Sequence, residues 1–428
     1  MTAQAGHVRQ RRGACPGLSA PMPTGDGLLV RLMPIGTISL AAFATLCAAA
    51  RQHGNGVIEV TARGSIQVRG LNAASAPHFA AAVAALGIAA GDGIPVHNNP
   101  LSGLDPEESL DAGALAADLR SALARTSLAA RLAAKISIAI DGGGSPSLDE
   151  LAADVRLCAV AINDGPALRV GIAGDAAGAT QFGLVTPGNG VKATMRLLEV
   201  IAQRGRDARA RDILAVEGAA PFRSAVEDIL VADAPRCAPP QRGDSIGRHA
   251  LRDGSLAYGL GLAFGHSDAA TLERLAEAAA RAGAIGLRAA PGRVLMVVGL
   301  GQALFSSFVA AAERLGFIVR AGDPRRHVVA CAGAPSCTSA HMAARAIAPA
   351  IAQASAPHLS RSFVVHISGC VKGCAHPASA ALTIVGTPTG CALVANGSTR
   401  DIPYALVATD QLPAVIAHFV SEREVSHV

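Results

Sequence analysis

The chain of 428 residues has no tryptophan, two tyrosines and 3% aromatic side chains in all. That scarcity excludes the aromatic platforms on which single-stranded nucleic acids stack. No dense basic run marks a duplex-binding face either. Lysine is nearly missing: Lys135, Lys192 and Lys372 are the three lysines among 37 basic residues. Arginine is the default cation, so each lysine stands out. Half the residues are hydrophobic, yet no run of about 18 uncharged apolar residues occurs, and no membrane span is expected. The opening "MTAQAGHVRQRRGACPG" lacks the apolar core of a secretory signal and reads as a short basic tail. A cytoplasmic, reducing setting is expected, where paired cysteines serve metals or redox chemistry rather than structural disulfides. No G-x-G-x-x-G run follows a strand pattern, so a built-in dinucleotide domain is not expected.

What is present is a repeat. "LLVRLMPIGTISLAAFATLCAAARQHGNGVIEVTARGSIQVRGLN" at 28–72 matches "LAYGLGLAFGHSDAATLERLAEAAARAGAIGLRAAPGRVLMVVGLG" at 256–301. Each gives a strand, an Ala/Leu-rich helix, a glycine break, two strands around a turn, and then a second helix. The unit reads as half of a β-α-β-β-α-β ferredoxin-like module. The intervening segments match too, as loop, helix, strand, loop. The predicted class is α+β, a duplicated architecture of two ferredoxin-like half-modules and two larger α/β domains. The expected boundaries are a tail and loop at 1–24, half-modules at 25–92 and 250–322, α/β domains at 93–233 and 323–428, and a Pro-rich linker at 234–249. The register of the repeat places Arg31 and Arg63 opposite Gly259 and Gly292. Duplication followed by division of labour accounts for that asymmetry.

Four of the nine cysteines fall in two tight pairs, "CAGAPSC" (Cys331, Cys337) and "GCVKGC" (Cys370, Cys374). Two short loops that each give two thiolates suit a cubane iron–sulfur cluster, and Gly333, Gly369 and Gly373 suit the tight turns around it. A structural zinc site is the alternative, although its usual short C-x2-C pair is missing. Cys47 and Cys158 read as small core residues. Arg69 shares side-chain parity with Arg63 and is expected on the same sheet face. Lys372 lies between two of the paired cysteines, where it offsets negative charge, holds an anion or simply faces solvent. "TPGNGVKATMRLLEV" starts a helix with Lys192 in its first turn, either an anion site or a plain helix start.

The duplicated half-module, the C-x5-C and C-x3-C spacing and "GCVKGCAHP" resemble the sirohaem-dependent nitrite and sulfite reductase family. More narrowly, "RRGACPGLSAPMPTGDGLLVRL" together with "HISGCVKGCAHP" is similar to the precorrin-3B synthase branch of it. The resemblance runs from Arg11 to Pro403. It implies a 4Fe–4S cluster on Cys331, Cys337, Cys370 and Cys374, with tetrapyrrole carboxylates held by Arg31, Arg63 and Lys135; parity adds Arg69 as a candidate contact, and Lys372 is a further candidate from the second cysteine loop. In the reductases the last cysteine also reaches the sirohaem iron. Ser137 stands where a second lysine is usual, and an arginine expected near "GDGIPVHNNP" is missing. These departures suit a related tetrapyrrole bound as substrate in place of sirohaem.

The implied substrate is precorrin-3A, and the implied reaction uses dioxygen to hydroxylate the meso carbon later extruded and to close a lactone with the ring A acetate. The resemblance further implies a mononuclear non-haem iron and NADH as reductant, delivered through a separate electron-donating reductase. No two-His, one-carboxylate spacing reveals the iron's ligands; His97, Asn98, Asn99 and His376 lie nearest the expected site. The competing readings are a sirohaem sulfite or nitrite reductase and an iron–sulfur electron carrier, which has no need of the arginines in the first half.

Overall fold

The structure is a computed structural model that describes residues 16–425 apart from 92, 163–164, 232–242, 357–358 and 361–362. Residues 11–15 of the opening motif and 234–242 of the expected linker lie outside the described residues.

The first repeat unit comprises β1 (Met22–Thr24), β2 (Gly27–Leu32), β3 (Ile38–Ser39), α1 (Leu40–His53), β4 (Val57–Val60), β5 (Ile66–Leu71) and α2 (Ser75–Ala85). The first larger domain follows, with β6 (Val96–Asn98), α3 (Ala112–Ala124), β7 (Ile138–Asp141), β8 (Ala153–Ile162), β9 (Gly165–Gly174), β10 (Thr180–Val185), α4 (Gly190–Ala202), α5 (Ala210–Glu217) and α6 (Ala220–Val226). The second unit repeats the first as β11 (Gly247–Ala250), β12 (Leu256–Gly261), β13 (His266–Asp268), α7 (Ala269–Arg281), β14 (Gly286–Ala290), β15 (Val294–Leu300) and α8 (Phe305–Arg314). The second larger domain has β16 (Val328–Ala330), α9 (Ala344–Ser355), β17 (Val365–Ser368), β18 (Ala380–Thr387), β19 (Gly390–Gly397), β20 (Ala405–Val407) and α10 (Leu412–Val425).

The duplication is visible in every sheet. The larger domains carry five-stranded sheets of the same order, β6 to β10 and β16 to β20, with the first three strands parallel and the last two antiparallel. The half-modules form sheets β1-β2-β5-β4-β13 and β11-β12-β15-β14-β3. They exchange one strand each: β13 of the second unit pairs with β4 of the first, and β3 of the first pairs with β14 of the second. Ser39 and Asp268, the last residues of the exchanged strands, then cap α1 and α7 by accepting from the Ala42 and Thr271 amides. The inner faces of both sheets and helices α1, α2, α7 and α8 share one hydrophobic core. The two half-modules are thus one pseudo-twofold unit. Both outer sheets begin earlier than expected, because β1 and β11 are short edge strands with little apolar alternation.

The outer faces of these two sheets differ. On the second, Ala257, Met296 and Val298 pack with Leu101, Ile246 and Ile318 into a closed apolar cluster. At Gly259, the counterpart of Arg31, a Cβ would overlap the Ser245 carbonyl and lie 3.0 Å from the Met296 sulfur. A side chain has no room there. The outer face of the first sheet carries Arg31, Glu59, Gln67 and Arg69 instead, since these alternate with core residues Val30, Leu32, Ile58, Val60, Ile66 and Val68.

Candidate functional site

On the first sheet, the Gln67 amide turns its oxygen to Arg31 and accepts from Nη2 and Nε at 2.7 and 2.9 Å, while its nitrogen donates to Glu59 at 2.8 Å. Glu59 also pairs with Arg345 at 2.8 Å and lies 3.4 Å from Arg69. Arg31 remains partly exposed at the edge of this network, so its charge is open to a ligand.

Arg63 lies in the turn between β4 and β5. Its Nη1 donates to the Ser137 hydroxyl at 3.3 Å. The Ser137 amide donates to Asp154, which in turn accepts a two-pronged bond from Arg209 at 2.9 and 2.8 Å. Ser137 therefore meets a cation from elsewhere at the position where a lysine is usual in the reductases. Arg63 also lines a cleft with Ser65, His97, Asn98, Asn99, Arg120 and Arg288. Arg120 donates to the Val96 carbonyl at 2.7 Å and orients Asn98. Arg288 clamps the carbonyls of Pro100 and Ser102. Burial, reinforced by Arg63 and Arg120, pushes the His97 imidazole down to about 4. His97 is therefore neutral near pH 7, and its Nε2 has no hydrogen-bond partner among the described residues.

Lys135 sits in an exposed turn before β7, two residues from Ser137. Lys372 is exposed on the second cysteine loop and donates to the Ser339 hydroxyl at 2.7 Å. Lys192 is exposed on α4 near Asp228. Arg69, expected among the substrate contacts, has a different setting. It is buried, with its guanidinium forked onto Asp26 through Nε and Nη2 at 3.1 and 3.0 Å and Nη2 also bonded to the Ser336 carbonyl. Arg69 shares the outer sheet face with Arg31 and Gln67, whereas Arg63 lies in the turn, and Asp26, Glu59 and the cysteine loop enclose Arg69 there.

The cysteine loops follow β16 and β17, two adjacent parallel strands whose ends bring the loops together. The Gly369 amide donates to the Cys331 sulfur at 3.1 Å. Burial pushes the Cys331 and Cys370 thiols up, and Cys337 lies close enough to both to push them further. Cys374 adds to this at Cys370 and is the exposed member of the four. Gly333 and Gly373 hold left-handed conformations, and a Cβ at Gly369 would meet Ala340 at 2.7 Å. Four gathered thiols that repel one another as thiolates, with an amide already aimed at one sulfur, fit a 4Fe–4S cluster, which gives each thiolate its own iron. Among the described residues no three His, Cys, Asp or Glu side chains converge on a point that would hold a single ion. No ligand set for the mononuclear iron is found among them either.

Besides Arg120 and Arg288 in the cleft, three residues around the thiol loops escaped the sequence reading. Arg293 donates to the Ala375 carbonyl, inside the second cysteine loop, at 3.2 Å. It occupies the left-handed position of the turn that Gly64 holds in the first repeat, one residue beyond the counterpart of Arg63. A residue-by-residue alignment of the repeats contains that signal. His366, fully buried on β17, packs edge-on to His376 at 5.6 Å. Burial, with His376 and Arg293 beside it, pushes it down to about 4. Arg345 reaches Glu59 from the start of α9, and nothing in its local sequence marks it.

The cationic outer face of one half thus abuts the thiol loops of the other. A family model for the nitrite/sulfite reductase ferredoxin-like half domain matches residues 20–86. The structure of the NirA protein of Mycobacterium tuberculosis aligns with a TM-score of 0.76 at 21% identity, over 92% of this chain and 80% of that one. The chain therefore has the nitrite/sulfite reductase fold, in its duplicated α+β form. A curated precorrin-3B synthase from Sinorhizobium sp. is 37% identical over 419 residues, spanning 97% of this chain and 90% of that protein. The chain belongs to the precorrin-3B synthase family and is an oxidoreductase. Among the described residues no helix is long and apolar enough to cross a membrane.

Proposed function

We propose that the chain converts precorrin-3A to precorrin-3B in aerobic cobalamin biosynthesis. It hydroxylates, with dioxygen, the meso carbon later extruded from the ring and closes a lactone with the ring A acetate. The observation that carries this reading is the asymmetry of the two sheets. The first presents Arg31 on an open face beside the thiol loops, and the second closes the matching face with Gly259 and an apolar cluster. One tetrapyrrole therefore has one cationic seat. Arg31 and Arg63 bind its carboxylates, because arginine forks match carboxylates and both cations remain within reach of a ligand. Neutral His97 offers Nε2 to a polar group of the substrate that enters the cleft.

Cys331, Cys337, Cys370 and Cys374 would hold a 4Fe–4S cluster, which supplies single electrons to a reaction that spin-paired organic groups cannot start with dioxygen alone. The chain positions that source: Gly369 fixes Cys331, and Arg293 fixes the carbonyl next to Cys374. Reducing equivalents come from NADH through a separate reductase, in the cytoplasm. Protein purified without air should be brown and carry the iron and acid-labile sulfide of one 4Fe–4S cluster per chain. Stoichiometric zinc without sulfide would overturn the cluster assignment.

A further inference from the structure

We infer that the turn between β1 and β2, together with Arg69, is a positioning device that seats the first cysteine loop and keeps it closed over its cluster. This rests on the cluster reading given above. The sequence singles out "PTGDG" in its opening motif, and neither substrate binding nor thiol ligation uses it.

Three contacts converge on one residue of the loop, Ser336, immediately before Cys337, and a fourth observation concerns its neighbours. The Gly25 amide donates to the Ser336 carbonyl at 3.2 Å. Arg69 Nη2 donates to the same carbonyl. Asp26 bonds the Ser336 side chain, and although burial pushes its carboxyl up, Arg69 and these bonds hold it below the usual carboxylate range. A Cβ at Gly25 would overlap the Pro335 carbonyl oxygen and lie 3.0 Å from the Cys337 and Thr338 amides. The turn is braced for this contact. The Thr24 hydroxyl shares its one proton between Asp26 at 2.9 Å and the Gly27 carbonyl at 2.8 Å, and Asn55 donates to Asp26 at 3.1 Å. Glu59 then ties Arg69 to Arg345 on α9, the helix that follows the loop. The first half-module therefore grips the thiol loop at its tip and through the next helix. A carbonyl that accepts from both an amide and a guanidinium cannot swing away without losing a charge-assisted bond.

Two consequences follow. Cys337 is held in place, and a positive charge lies beside the peptide that leads to it. A cation near a cluster favours its reduced, more negative form. The experiment uses full-length protein purified anaerobically, with iron and sulfide counted first. The rate at which the cluster's visible absorption bleaches in air and its midpoint potential are then measured. Gly25→Ala keeps every charge but pushes the turn off the loop. It should bleach roughly tenfold faster, the loss of about one backbone hydrogen bond, with little change in potential while Arg69 stays in place. Arg69→Met should bleach faster and also shift the potential downward. Arg69→Lys should restore the potential while leaving the bleaching fast, a split that a merely structural role would not produce. Arg69→Met leaves the partly buried Asp26 without its cation, while Glu59 keeps Arg345; if it fails to fold, Gly25→Ala and Arg69→Lys decide. Wild-type bleaching rates in both of those variants would overturn the inference alone. A wild-type protein without sulfide would overturn the cluster reading and this inference together.

Discussion

Cys374→Ser is expected to abolish the cluster and the hydroxylation together while precorrin-3A still binds. Of the four paired thiols Cys374 is the exposed one, so it faces the open side of the cluster site. Serine's hydroxyl is a poor iron ligand at neutral pH, and a cubane that loses one of four thiolates loses an iron corner. The substrate seat should survive because it belongs to the other half. Arg31 is held by Gln67, and Arg63 by Ser137, both in the first half of the chain. The loop also has supports of its own, since Thr399 donates to the Val371 carbonyl and Arg293 to that of Ala375. Iron and sulfide counts, turnover, and a titration followed by the tetrapyrrole's own absorption separate the three properties. Full turnover in the serine variant would show that the cluster is not needed for the reaction.

Arg31→Ala and Arg63→Ala are expected to give the complementary result, a weakened tetrapyrrole affinity with the cluster retained. Each removes a charge-assisted bond of about 1.5–3 kcal/mol, or roughly 10- to 150-fold in affinity. The fold has little reason to fail in either variant. Without Arg31, Gln67 still donates to Glu59, and Glu59 keeps Arg69 and Arg345. Without Arg63, Ser137 remains anchored through Asp154, which Arg209 neutralises. The grip of Gly25 and Arg69 on Ser336 is untouched by either change. Titrating both variants with precorrin-3A under anaerobic conditions measures the loss. Unchanged affinity in both would move the substrate away from the first half.

Much of this was legible in the chain itself. Helical and strand periods repeat at the same spacing in both halves, so the duplicated α+β architecture could be read before any coordinates. The strand exchange could not, because β3 and β13 are two and three residues long and carry no periodic signal. The thiols announced themselves by spacing, and Arg31 by standing opposite a glycine in the repeat. Arg69 shows where such reading stops. Alternation fixes which face a strand residue occupies, but not what meets it there. Its partners Asp26, Glu59 and Ser336 come from a turn, another strand and a loop in the other half of the chain, and as sequence they look like ordinary solvated polar residues. The same holds for Arg345 and Arg120, whose surroundings are supplied by tertiary packing alone.

The most direct test is turnover of the cluster-bearing protein with precorrin-3A and excess reductant under isotopically labelled dioxygen, with the tetrapyrrole product read by mass spectrometry. A tetrapyrrole oxygenase must leave one labelled oxygen atom in each product molecule, at the hydroxylated meso carbon, and the same protein should leave sulfite and nitrite unreduced. An unlabelled tetrapyrrole, or a bound sirohaem with reduction of sulfite or nitrite in its place, would contradict the account.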